Sequence, residues 1–172
     1  MLKLLKTLLT GVDAPLLNTP TSYPGAMAEM VEYLILLQTP RSSSGRGKNA
    51  VLLQLATTLS KDPYCLGYVT GMFECLCHQW EVPPGEHRVV MGSATTLLVR
   101  DLLDSCGDPR STTHIEDAVF NGALAFAGDP AFQRGKFDGC SELTRYAATK
   151  EQTDLPEGLH QRLVELMAST CC

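Results

Sequence analysis

The amino-acid sequence predicts an all-α protein of about seven helices. Three observations carry that prediction: Leu dominates the apolar residues, apolar side chains recur at three-to-four spacing, and Asp-Pro pairs stand where helices should begin. The chain holds 26 Leu and 2 Ile, with 5 Phe and 5 Tyr. Leu has high helix propensity, whereas strands draw on Ile, Val and aromatic residues. A length of 172 residues suits a single helical domain over residues 1–172. A folded chain of this size buries roughly 70% of the surface its unfolded form exposes, so the core requires no metal or disulfide staples.

The elements follow in order. Leu2, Leu5, Leu8 and Leu9 mark one face of a short amphipathic helix. This start does not read as a secretory signal, because Lys6 interrupts the apolar run and Asp13 arrives before any small-x-small cleavage pattern. Met27, Met30, Val31, Leu34 and Ile35 form the next stripe, after Pro24 and before Pro40. Residues 39–47, TPRSSSGRG, read as an exposed, mobile loop. Val51, Leu52, Leu55, Ala56 and Leu59 repeat the helical period, and Cys65, Leu66, Val69, Met72, Phe73, Leu76 and Trp80 give the cleanest stripe. Val90, Ala94, Leu97, Leu98 and Leu102 follow, with Gly107 and Pro109 as the expected stop. Asp62-Pro63 and Asp129-Pro130 place a capping acceptor before a Pro whose missing N–H would be unpaired anyway in a first turn. Thr113 with Glu116, and Asp154 with Glu157, have the spacing of capping boxes and predict two further helix starts.

The chain also repeats itself. Each Asp-Pro is followed by Gly-x3-Gly-x2-Glu: Gly67, Gly71 and Glu74 in one half, Gly135, Gly139 and Glu142 in the other. Each half then reaches a further helix start, at Pro84-Gly85 with His87-Arg88 and at Pro156 and Gly158 with His160 and Arg162. The order of features predicts two tandem units, residues 48–105 and 115–172, stacked because neither buries its apolar face alone. Glycines four apart share a helix face, so Gly67, Gly71, Gly135 and Gly139 are the predicted helix-packing residues. A mid-helix Gly costs about 1 kcal/mol relative to Ala, which close packing must offset.

The stretch Gly135-Lys136-Phe137-Asp138-Gly139-Cys140, continuing to Tyr146-Ala147 and Pro156, resembles the second half of a tetratricopeptide unit. There a Gly-x-aromatic turn precedes a small residue and an Ala on the next helix. The resemblance covers about one unit and implies a helical-repeat architecture. Pro130 departs from it, lying where that family's first helix is uninterrupted.

Charge excludes some functions. The net charge is −5, with 14 basic residues scattered among 19 acidic ones. Binding nucleic acid by phosphate neutralisation needs clustered Lys and Arg, so no nucleic-acid partner is expected. No apolar run approaches the ~20 residues that cross a bilayer, so no membrane partner is expected either. Seven cysteines, an odd number with spacings such as Cys75-Leu76-Cys77 and Cys171-Cys172, suit a reducing cytoplasmic setting better than a disulfide scaffold.

Candidate chemistry is sparse. Cys75, Cys77 and His78 are the densest group of potential ligands, with Cys65 upstream, but on one helix Cys77 points away from Cys75 and His78. Glu157-Gly158-Leu159-His160 has the Glu-x-x-His spacing of di-iron bundles without the second motif such a site requires. Glu74 and Glu142 could act as acid and base only if the two units met face to face. Residues 41–48 imitate a phosphate loop, but Ser42 stands in place of the first Gly and Asn49 in place of the Mg²⁺-binding hydroxyl. The terminal Cys171-Cys172 imitates a prenylation signal in a chain without the phosphate loop of small GTPases. No catalytic, cofactor or metal residue is assigned.

The favoured reading is a non-catalytic interaction module. It would be a helical-repeat adaptor or small acidic chaperone whose apolar groove receives a helix or peptide of another protein. Met27, Met30 and Met91 are the candidate contact residues, because thioethers repack readily. Two alternatives stand beside it. One is a metal- or thiol-dependent helical enzyme built on Cys75, Cys77 and His78. The other is a small regulatory homodimer formed through the second Gly-x3-Gly face.

Overall fold

The computed structural model describes residues 23–38, 48–104, 109–149 and 156–169. They form seven helices: α1 (Tyr23–Gln38), α2 (Lys48–Leu59), α3 (Pro63–Gln79), α4 (His87–Asp104), α5 (Pro109–Ala125), α6 (Pro130–Thr149) and α7 (Gly158–Ser169). No strand occurs among the described residues, and the protein is all-α. The expected helix over residues 2–9, the loop 39–47, Asp154 and the terminal cysteines lie outside the described residues.

Helix α3 is the central element. Asp62 caps it in extended backbone (φ −101°, ψ 115°), its carboxylate accepting from the Cys65 N–H at 2.9 Å, and Pro63 opens the first turn. Cys65 through Val69 are buried without a break, as are Gly71–Phe73 and Cys75–Cys77. A helix apolar around its circumference is a buried one. At its end the Glu81 N–H donates to the His78 carbonyl at 3.3 Å and the Val82 N–H to the Cys77 carbonyl at 3.0 Å. That pairing is a Schellman motif. Its left-handed position, where glycine is usual, is held by Glu81 (φ 53°), and Val82 is buried beneath the turn.

Helix α6 starts in the same way. The Asp129 carboxylate accepts from the Ala131 N–H at 2.7 Å, and Pro130 follows the cap. From there α6 runs unbroken to Thr149 through both Gly135 and Gly139. This corrects the tetratricopeptide-like reading, which needs a turn where the structure has a helix interior. Helix α5 begins at Pro109, so Thr113 and Glu116 lie inside it rather than at its start. Pro109, expected as a stop, is itself the first residue of the next helix, a position where its missing N–H leaves no bond unmade.

The described buried apolar residues form one connected core. Helix α1 contributes Met27, Ala28, Val31 and Ile35 and lies along α4; α2 adds Leu55, Ala56 and Leu59. The most extensive helix pair is α3 with α6. Tyr64 bonds Asp138, Tyr68 bonds Glu142 and Cys75 meets Thr144, so partners advance together along both helices and the pair is parallel. Helix α4 also packs on α3 and α5, while α7 rests on α1 and α3.

Candidate functional site

Two regions concentrate chemistry: the seam between α3 and α6, and an apolar groove along α4. The glycines set the seam. A Cβ on Gly67 would stand 2.2 Å from the Phe132 carbonyl oxygen, and one on Gly71 2.1 Å from that of Lys136. Across the seam, a Cβ on Gly135 would stand 2.2 Å from the Tyr64 oxygen and one on Gly139 2.1 Å from that of Tyr68. Each glycine thus seats against the carbonyl three residues before the opposing glycine. The contact is reciprocal, with a local two-fold relation between the helices. The Gly135/Gly139 face is therefore covered by α3 of the same chain, which corrects the homodimer reading built on that face.

Polar side chains flank the seam in the same reciprocal way. The Tyr68 hydroxyl donates to Glu142 Oε2 at 2.8 Å, and Lys136 Nζ lies 3.0 Å from Glu74 Oε2. The same offset of 68 residues relates Tyr68 to Lys136 and Glu74 to Glu142. Glu142 Oε2 also accepts the backbone N–H groups of Glu157 at 2.7 Å and Gly158 at 3.1 Å. Glu142 thereby caps α7 from a different helix, filling the first-turn donors with a carboxylate at the positive end of the helix dipole. Tyr64 donates to Asp138 Oδ2 at 3.0 Å. Burial, with the carboxylates beside them, pushes both tyrosines well above the usual phenol range. Asp62, besides capping α3, receives Arg162 Nη2 at 2.8 Å. Burial pushes its carboxyl upward, but the bonds from Arg162 and the Cys65 N–H outweigh that and hold it below the ordinary value.

These bonds commit the carboxylates to structure. Glu74 and Glu142 do not pair with each other; each has a partner on the opposite helix. Among the described residues no group of three or more His, Cys, Asp or Glu side chains is placed to hold a metal ion. Cys75 and Cys77 are buried, and burial pushes both thiols up to about 11. His78 is exposed, its ring edge-on to His87 at 5.2 Å. Cys75 Sγ lies instead 3.3 Å from Thr144 Oγ1 on α6. The Cys75/Cys77/His78 site of the enzyme reading does not converge.

The groove is a cavity of about 890 Å³ between α4, α5 and the start of α1. Pro24, Val89, Val90, Leu97 and Phe120 form its apolar lining, and Glu86 and Arg88 also line it. Val89 is 70% exposed and Phe120 58%, and Leu124 extends the apolar surface one turn along α5. Gly92 leaves the floor open, since a Cβ there would come no nearer than 3.9 Å to the Phe120 ring.

The predicted contact residues fall elsewhere. Met27 has 0% exposure and belongs to the core, not to a contact surface. Met30 and Met91 are half-buried against the core, and none of the three lines the groove. The residues that do line it carried a legible signal. Val89 and Phe120 are large apolar side chains off the buried stripes of α4 (Val90, Ala94, Leu98) and α5 (Val119), so their own helices leave them exposed. Among the described residues, no helix is long and apolar enough to cross a membrane. Compared with family models, curated proteins and solved structures, the chain matches none of them.

Proposed function

We propose that this protein is a non-catalytic protein–protein interaction module, an adaptor or small acidic chaperone that receives an apolar helix or peptide in the α4–α5 groove. The observation that carries the reading is the groove itself: a cavity of about 890 Å³ with an apolar lining in which Val89 and Phe120 are left open to solvent. Contiguous exposed apolar surface is costly in a monomer and marks contact sites. Amphipathic helices dock into such grooves through apolar residues at successive turns. The commitment of Asp62, Glu74, Glu142 and the buried thiols to packing and capping supports a binding role over catalysis. The free thiols Cys65, Cys75, Cys77 and Cys140 fit a reducing compartment such as the cytoplasm. The reciprocal seam supports descent of residues 48–105 and 115–172 from a common unit.

The test is photo-cross-linking in the native host, with a reactive residue at Phe120 and a control at exposed Arg134 on α6. A discrete adduct with another protein, absent from the control and lost in a Val89→Asp background, is the expected result. Identical adducts from both positions, or none from Phe120, would refute the reading.

A further inference from the structure

Two of the thiols packed at the seam face each other across it. Cys75 on α3 lies one turn beyond Gly71, and Cys140 on α6 lies one turn beyond Lys136, the residue that Gly71 touches. A Cβ on Gly71 would stand 2.8 Å from Lys136 Cα, so the two backbones are in direct contact one turn below the cysteines. Disulfides need Cα atoms roughly 4.4–6.8 Å apart, the spacing of neighbouring residues on helices this close. Thr144, one turn beyond Cys140, fixes the register. Its hydroxyl donates to the Cys140 carbonyl at 2.8 Å and its oxygen lies 3.3 Å from Cys75 Sγ. Both thiols are free, and Cys140 is close enough to Cys75 to hydrogen-bond it and act on its ionisation.

We infer that Cys75 and Cys140 form a redox-modification site, closing to a disulfide across the α3–α6 seam when the protein meets an oxidising low-molecular-weight disulfide. Cys140, half-buried, is the point of entry, and Cys75, buried and with its thiol pushed up to about 11, is the resolving partner. In the first step the Cys140 thiolate attacks the small disulfide, forming a mixed disulfide and releasing one small thiol. In the second, the Cys75 thiol loses its proton and attacks the Cys140 sulfur, expelling the second small thiol. Two protein thiols are oxidised and one small disulfide is reduced to two thiols. Cys65 and Cys77 stay outside this exchange. Cys65 lies at the opposite end of α3, and the Cys77 thiol is sealed in the core. The cross-link joins helices already in contact, so it asks little movement of the backbone and fixes the seam against opening.

The experiment treats the full reduced chain with oxidised glutathione, alkylates the remaining thiols, and maps disulfides by mass spectrometry. A Cys75–Cys140 link is expected, with loss of two hydrogens for the pair. In Cys75→Ser the same treatment should stop at a glutathione adduct on Cys140, and in Cys140→Ser it should leave Cys75 unmodified. Folding of both variants is checked by circular dichroism, and Cys140→Ala replaces Cys140→Ser if the latter is unfolded. Alkylatable Cys75 and Cys140 in the treated native protein would overturn the assignment. A glutathione adduct on Cys75 in a folded Cys140 variant would also overturn it, because entry would then not depend on Cys140.

Discussion

Replacing Gly139 by Ala probes the seam most sharply. The new Cβ would lie 2.1 Å from the Tyr68 carbonyl oxygen, about 1 Å inside the 3.0 Å that real Cβ contacts essentially never breach. The obstacle is backbone and cannot swing aside, so α3 and α6 must separate by about 1 Å along their length. Overpacking of this kind costs roughly 1–3 kcal/mol even where side chains can yield. Against it stands a gain of up to about 1 kcal/mol from the better helix propensity of Ala. With a backbone obstacle the cost lies at the upper end of that range, so a net loss of about 2 kcal/mol is expected, which at a slope near 2 kcal/mol/M lowers the urea midpoint by about 1 M. Gly92→Ala on α4 is the matched control. There the Cβ meets nothing closer than 3.9 Å, so propensity alone acts and the midpoint should rise by about 0.3–0.5 M. Gly71→Ala combined with Gly139→Ala should cost less than the sum of the two, since one separation of the helices relieves both clashes. A Gly139→Ala protein as stable as the parent would refute the close contact.

Other outcomes follow from the same geometry. Glu81→Gly removes a side chain from a left-handed position (φ 53°) and should stabilise the protein by about 0.5–1 kcal/mol, read as a higher thermal midpoint. The folded Asp62 carboxyl titrates below its ordinary 3.8, so its stabilising contribution is present above that value and is lost as pH falls through the lower folded one. Asp62→Asn should therefore flatten the acid limb of stability against pH while lowering stability near neutrality. Tyr64 and Tyr68 titrate above their ordinary 10.0, so their contribution is present below pH 10 and is lost as pH rises beyond it. Absorbance at 295 nm should show the Tyr64 and Tyr68 share of the five tyrosines ionising only as the fold opens. In Tyr64→Phe with Tyr68→Phe that share should vanish, leaving only the upward shift that burial gives Tyr146.

Much of the fold is legible in the sequence, because helix starts and apolar stripes are local. Asp62-Pro63 and Asp129-Pro130 cap α3 and α6 where expected, and Leu66, Val69, Met72 and Leu76 are buried as their period requires. The Gly-x3-Gly pairs announce close approach but not its partner, since nothing local says that two similar faces close on each other in parallel. The cap of α7 was hidden for the same reason. Its acceptor, Glu142, is 15 residues upstream on another helix, while the local Asp154/Glu157 spacing pointed to a self-contained box. Sequence spacing does not single out Cys140, because the seam pairs Cys75 with residues on α6, far along the chain. Met27 failed as a contact residue because thioether flexibility suits a core as well as a surface, and its place on the α1 stripe decides for the core.

Helix α3 touches every other described helix, and a distance measurement tests its parallel pairing with α6 directly. Spin labels on unnatural side chains at Gln79 and Ala148 mark the same end of the two helices, whereas Gln79 and Arg134 mark opposite ends. Positions 134 and 148 are about 20 Å apart along α6. Pulsed electron resonance should give the shorter distance for Gln79–Ala148 and a clearly longer one for Gln79–Arg134; the reverse order would contradict the structure described for this protein.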